Sequence, residues 1–407
     1  MKSILKLSTC GVCFVIVLCC AGRGICAEPK LLEAKLLDEG WVSLFDGETL
    51  YGWQPVGEAK WEVVDGEIRT AAEKTGFLMT STEWANFELH VEFKAPATTN
   101  SAVFLRSVLE PDDPTDDCVE LNIAPQDNPF PTASLVRRRK VSTEAKGGAI
   151  DAWDGKWHTF DATIEGDRMT IALDGQELAA VNTNELPDGK TGKTLAKGHI
   201  GLQAREGQVA FRNLRVKPLG LKALFNGRNL DGWIQDRADK CKFDVTKAGE
   251  LHLTNGPGQI ETAGEFANFV MQLECQVNGD GLNSGVFFRT LREGRWVGYE
   301  SQINNQYKDG DRAKPDDFGT GGIYRRQPAR RVIPDDHQWF TKTIVANGPH
   351  MAAWVNGYQV SDWTDKRPAK RSAREGRRDE GGVIAIQGHD PTTDFLFRSI
   401  RAVELPR

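Results

Sequence analysis

Hydrophobic and polar positions alternate with period two along much of the chain. Phe87, Leu89, Val91 and Phe93 are separated by Glu88, His90 and Glu92, the pattern of a strand with one buried and one wetted face. Met169, Ile171 and Leu173 repeat it and run into Asp174-Gly175, a dipeptide suited to a tight hairpin turn. Phe269, Met271, Leu273, Cys275 and Val277 predict a further strand, with the Cys275 thiol on its core face. Asp65-Gly66, Asn226-Gly227, Asn347-Gly348 and Asn356-Gly357 supply similar turn signals. No segment sustains a helical period beyond about three turns, so the expected class is all-β.

The pattern occurs twice. Leu44-Phe45-Asp46-Gly47 returns as Leu224-Phe225-Asn226-Gly227, and Gly52-Trp53 as Gly232-Trp233. Asn100-Ser101-Ala102-Val103-Phe104-Leu105-Arg106 matches Asn283-Ser284-Gly285-Val286-Phe287-Phe288-Arg289. Trp157 pairs with Trp339, Gln203 with Gln387 and Phe211-Arg212 with Phe397-Arg398, at offsets drifting only from 180 to 186. A unit this long is a duplicated domain rather than a solenoid repeat. The expected domains are 40–219 and 221–407, meeting near Pro218-Leu219-Gly220. Each is predicted to be a jelly-roll β-sandwich with Trp and Phe between its sheets and one concave sheet offering polar residues to a ligand.

Residues 1–27 differ from the rest. Lys2 and Lys6 precede an apolar run from Gly11 to Cys20, and Cys26-Ala27 offers a small-residue cleavage point, the layout of a secretory signal peptide. The expected location is therefore secreted or periplasmic, with no transmembrane span in the mature chain; cysteines near the cleavage point leave a lipoprotein open. The net charge of −6 becomes −9 once Lys2, Lys6 and Arg23 are removed, which argues against nucleic acid as a partner. Five of the eight cysteines leave with the leader, and Cys118, Cys241 and Cys275 are too few for a disulfide framework. Cys241 and Cys275 are expected as two buried, reduced thiols, with a bridge between them as the alternative. Asp112, Asp113, Asp116 and Asp117 lack the spacing of a calcium loop and read as a solvated turn. The run from Lys366 to Arg374 reads as a basic loop beside the pocket of the second domain.

Six motifs occur in register in the second half: Phe225-Asn226-Gly227 with Leu230-Asp231-Gly232-Trp233, Asn283 to Arg289, Tyr299-Glu300-Ser301-Gln302-Ile303, Gly321-Gly322-Ile323-Tyr324, Trp354-Val355-Asn356-Gly357, and Ile386-Gln387-Gly388-His389. Together they resemble the 3-keto-disaccharide hydrolase family over residues 221–407 and, more weakly, over 40–220. The resemblance implies a concanavalin A-like sandwich that acts on 3-keto-glycosides or oxidised glycans by 1,2-elimination and hydration, a net hydrolysis. It also implies a separate oxidoreductase that makes the ketone upstream. The competing reading is a non-catalytic, lectin-like glycan-binding protein.

Such chemistry needs a base for the C2 proton, an acid for the leaving oxygen and donors for the enolate oxygen. His389, at the end of a strand-like run, is the leading acid–base candidate, with a structural histidine as the alternative. Glu300 is its partner or a grip on sugar hydroxyls. Arg289 is a candidate for enolate stabilisation, or packs its stem and pairs with an acid. Asn283, Gln302, Tyr324, Gln387 and Asp390 are candidate substrate binders. No cofactor is implied by the motifs; a divalent metal held by carboxylates and His389 is left open by their spacing. The first copy keeps Glu120 opposite Glu300, but Arg205 replaces His389 and Val136 replaces Tyr324, so it is expected to be a degenerate partner.

Overall fold

In a computed structural model, the described residues are 29–407 except 72, 97, 126, 142–154, 187–190 and 293–295. The leader read at 1–27 lies outside them. Among the described residues no helix is long and apolar enough to cross a membrane, and the one helix is the short Ala34–Glu39.

Each copy is a sandwich of an eight-stranded and a five-stranded antiparallel sheet, and the two copies have the same strand order. In the first copy the five-stranded sheet runs Trp53–Gly57, Gly76–Trp84, Gly198–Ala204, Ser101–Ser107, Val119–Ile123. In the second it runs Trp233–Asp236, Gly258–Thr262, Val383–Gly388, Ser284–Thr290, Tyr299–Ile303. These are the two tandem jelly rolls that the alternation predicted, of the concanavalin A-like class that the resemblance implied. The period-two pattern explains the layering, because successive side chains leave a strand on opposite faces. Val286, Phe288, Ile384 and Ile386 go inward to the second core, and Leu78, Val103, Leu121 and Leu202 to the first. The residues between them point to the outer face of the sheet.

The repeated Leu-Phe-Asp/Asn-Gly…Gly-Trp motif has a mechanical role. Trp53 Nε1 donates to the Leu44 carbonyl at 2.6 Å, and Trp233 Nε1 to the Leu224 carbonyl at 2.8 Å, closing each entry loop on a half-apolar ring. The hairpin turns behave as read: Asp174-Gly175 and Asn356-Gly357 have positive φ at both positions, which suits the twist of the flanking strands.

The copies share an apolar interface. Val270, Val345, Ala352, Trp354 and Leu405 of the second copy belong to the same buried cluster as the first core. Trp354 tilts against Trp84 at 5.7 Å between centroids, and its indole donates to the Ser43 carbonyl at 2.9 Å. Arg330 stands between the rings of Tyr51 and Tyr358, at 4.4 and 4.3 Å, and pairs with Asp46 at 2.7 Å. Against the upward pull of burial, bonds from Thr49, Glu48 and Arg330 hold the Asp46 carboxyl below its ordinary range.

Candidate functional site

The outer face of the second copy's five-stranded sheet gathers most of the polar residues read from the sequence. In the strand Tyr299–Ile303, Tyr299 and Ile303 turn inward, so Glu300 and Gln302 face outward. Glu300 sits opposite Phe287, and Gln302 opposite Gly285. A side chain at position 285 would collide with the Glu300 carboxyl, so Gly285 leaves the room Glu300 occupies. Across the sheet, Gln387 pairs in register with Gln259, and Ala385 with Glu261. Gln259, Glu261, Gln302 and Gln387 are all buried. Gln259 and Gln387 each have a side-chain carbonyl without a hydrogen-bond donor, so two buried acceptors wait for hydroxyl or amide donors.

Glu300 lies in a cleft of about 120 Å3 lined also by Tyr324, Arg325, Arg326, Ala373 and Arg374. Burial pushes its carboxyl up to about 8, with Arg374, Lys342 and Arg325 pulling down and Asp317 pushing up. Near neutral pH it is therefore mostly a proton donor. Asn283 and Gln302 converge, each donating to Asp317, at 2.6 and 2.9 Å. Asp317 and the neighbouring Phe318 both have positive φ, a strained pair next to the cleft. Phe318 in turn packs edge-on against Tyr324, 5.2 Å between centroids.

His389 follows Gly388, the last residue of its strand, and is partly exposed. Its Nδ1 is 2.7 Å from Asp390 Oδ2, which leaves Nε2 clear of that contact. Asp390 is kept below its ordinary range, burial notwithstanding, by Thr392 and His389. His389 is absent from the lining of the Glu300 cleft. Among the described residues no group of three or more His, Cys, Asp or Glu side chains converges as a metal site, and no step is derived through a metal.

Arg289 lies elsewhere. Its guanidinium donates to the Ala267, Gly348 and Arg378 carbonyls and to Asn268 Oδ1, and it is wholly buried. Arg106 in the first copy makes the matching cage with Ala85, Gly166, Leu195 and Asn86. Burial lowers both guanidinium groups to about 10. This arginine ties loops to the sheet end in both copies, and no donor points into the cleft. Its cage comes from loops remote in sequence, which is why the motif alone did not reveal it.

Three contributors to the second site were not singled out from the sequence: Asp317, the Gln259/Glu261 pair and Lys342; Arg374 is the end of the basic run read beside the pocket. The alternation Gln259-Ile260-Glu261 was a readable signal for the pair. Lys342 interrupts the inward series Phe340, Lys342, Ile344, which marks a buried lysine. Its Nζ donates to the Ser301 and Gln302 carbonyls, both at 2.8 Å, from the core side of the strand that carries Glu300. Burial drives this ammonium down to about 7.

The first copy has an equivalent site. Glu120 pairs in register with Phe104 and lies within 3.4 Å of Gln203 Nε2. Burial lifts its carboxyl to about 7, with Arg205, Gln203 and Arg137 pulling down. The cavity around it, about 440 Å3, is larger than the second copy's cleft. Its sheet face is apolar where the other is polar: Phe77 and Met79 stand where Gln259 and Glu261 stand in the second copy.

Comparison with known proteins gives one family match. The family described as the 3-keto-alpha-glucoside-1,2-lyase-like domain matches residues 40–217 and again 220–402. A curated relative, a 3-keto-disaccharide hydrolase from Bacteroides thetaiotaomicron, is 30% identical over 90 residues, covering 19% of this chain and 31% of that protein. A solved protein from Parabacteroides distasonis, provisionally assigned as a glycosyl hydrolase, covers 47% of this chain and 100% of its own at 18% identity and a TM-score of 0.39. A Bacillus subtilis protein with a galectin-like fold covers 44% and 94%, at 10% identity and a TM-score of 0.32.

Proposed function

Both halves of the chain belong to the 3-keto-alpha-glucoside-1,2-lyase-like family, and from that premise we propose that the protein is an exported enzyme that cleaves 3-keto-glycosides by 1,2-elimination and hydration in its second copy. A ketone at C3 acidifies the C2 hydrogen, because the carbanion left behind is delocalised as an enolate. In this reading His389 Nε2 takes the C2 proton while Asp390 holds the Nδ1 side of the ring. Glu300, protonated near neutral pH, gives its proton to the departing glycosidic oxygen at C1. Tyr324 and the cationic edge of Arg374 stand by the enolate oxygen. Water then adds across the double bond: Glu300, now a carboxylate, takes its proton as the oxygen joins C1, and His389 returns a proton to C2. The free acceptors of Gln259 and Gln387 take sugar hydroxyls.

One observation supports this reading most: Glu300 is a buried carboxyl on the open face of the sheet, held near neutrality in a cleft lined by Tyr324 and three arginines. Carbohydrate is the substrate class, and the oxidoreductase that supplies the ketone acts upstream. The test is incubation of the protein with a disaccharide oxidised at C3 and with its unoxidised parent. Release of reducing sugar with transient enone absorbance is expected from the first alone. Cleavage of the unoxidised parent at the same rate, or no cleavage of the ketone, would overturn it.

A further inference from the structure

The first copy's cavity has no part in that reaction, yet it is built as a ligand site. Phe77 and Phe104 form its floor, with centroids 5.2 Å apart. Gln203 on the same face is 4% exposed, and its side-chain carbonyl has no donor. A buried acceptor on an open cavity is the mark of a missing hydroxyl or amide donor. Arg137 and Arg205 line the same cavity, are exposed, and bond no carboxylate among the described residues. The neighbouring Arg138 shows the contrast: it is buried and donates to the carbonyls of Pro114, Thr115, Cys118 and Lys193. One arginine of the dipeptide is therefore structural, and the other is available to a ligand.

Each feature matches a part of one molecule. A pyranose ring offers a C–H face to aromatic rings and hydroxyl donors to an amide carbonyl, while a pair of available guanidinium groups matches a carboxylate. We propose that the first copy's cavity is a binding site for a uronic acid residue of an acidic saccharide, with its ring on Phe77 and Phe104, a hydroxyl on Gln203 and its carboxylate against Arg137 and Arg205. Asp112 is the other acidic residue on the lining besides Glu120. Burial keeps Glu120 near 7, so in mildly acidic solution it is a donor rather than a second anion. The second copy is unsuited to the same ligand, since Glu261 takes the place of Met79 and is already paired with Arg292 at 3.0 Å.

The proposal goes beyond the catalytic reading and does not depend on it. The test is calorimetric titration of the whole chain at pH 6 with cellobiouronic acid and with cellobiose, which differ only in the carboxylate. The acid is expected to bind about tenfold more tightly, the scale of a hydrogen bond to a charged group at a partly wetted site. Arg205→Ala and Arg137→Ala should each remove most of that preference, and Phe77→Ala should weaken both sugars. Glu300→Gln in the other copy should leave the acid's affinity unchanged. Equal affinity for the two sugars, indifference to both arginine substitutions, or loss of the acid's binding in Glu300→Gln would each overturn the proposal.

Discussion

The two copies keep one scaffold and exchange its surface. The tryptophan that closes the entry loop, the arginine caged by backbone carbonyls and the outward glutamate occur in both, at matching places in the strand order. Even backbone strain repeats: Arg106 and Arg289 have φ of 47° and 49°, and Arg137 and Arg325 of 57° and 58°. What changes is the outer face and the core beneath it. Phe77 and Met79 become Gln259 and Glu261, Val136 becomes Tyr324, and Arg205 becomes His389. Underneath, Phe93 and Phe160 pack as tilted rings, 4.6 Å between centroids, in the first copy, where Cys275 and Lys342 meet in the second. Residues that recur are those that hold the sandwich together. Residues that differ are those a ligand or a proton would meet.

The contrast is breakable first at the interface. If the copies were independent beads, a core substitution in one would leave the other intact. Trp354 is buried in a cluster that belongs mainly to the first core, so Trp354→Ala should cost about 3–5 kcal/mol and lower the unfolding transition of both copies together. Two calorimetric transitions, only one of them shifted, would show instead that the copies unfold separately.

Next in size is the effect on catalysis. Glu300→Gln keeps the shape but removes the proton, and should reduce turnover of a 3-keto-disaccharide by about 100-fold or more. Glu120→Gln, its twin, should leave turnover within about twofold. Steady-state kinetics on both variants decide which copy does the chemistry. Equal losses would mean that both sites turn over, and a loss only in Glu120→Gln would move the active centre to the first copy. His389→Ala against Arg205→Ala repeats the comparison at the strand end.

Much of this fold was legible because a sandwich strand writes its two faces into alternate residues. The strand Phe87–Lys94 and its partners follow the pattern residue by residue, and Glu300 was readable as the polar member between Tyr299 and Ser301. The duplication made the domain count visible. The cage around Arg289 was not legible, since its guanidinium donates to Ala267, Asn268, Gly348 and Arg378, at positions 21 to 89 residues away. Asp317 was hidden for the same reason, and Arg374 was visible only as the end of a basic run: both act on Glu300 from loops whose path no local period records. Cavity size was also invisible, so the first copy, reduced in titrating groups, turned out to hold the wider cleft.

A smaller effect concerns stability and pH. A carboxyl whose pKa is raised on folding keeps its proton longer in the folded chain than in the unfolded one. Stability then falls as pH rises from the ordinary value of 4.5 through about 8, where the folded form finally ionises. Glu300→Gln should therefore be more stable than the parent at pH 9 by about 1–3 kcal/mol, and nearly equal to it at pH 4. Glu120→Gln should show the same trend over a narrower window ending near 7. Urea denaturation at the two pH values measures both, and a Glu300 gain no larger than that of Glu120 would contradict the larger upward shift of the Glu300 carboxyl.

The smallest effect, and the one that bears most on why the copies differ underneath, comes from Lys342. Its ammonium bonds the carbonyls of Ser301 and Gln302 from the core side, next to the peptide that carries Glu300, and its charge favours the ionised carboxylate. The first copy fills this space with Phe160, which carries no charge. Because Lys342 is itself held down to about 7, only the fraction still protonated at the alkaline limb acts on Glu300; Lys342→Met keeps the length of the side chain and removes that fraction, so the alkaline fall in turnover should move up by about one or two tenths of a pH unit. Turnover below pH 7 should stay nearly constant, because Glu300 is protonated there with or without the lysine. A purely structural lysine would instead lower turnover evenly across the pH range, through loosened backbone at Ser301 and Gln302, without moving the limb. The shape of the pH profile, rather than its height, therefore separates a lysine that tunes the acid from one that props up its strand.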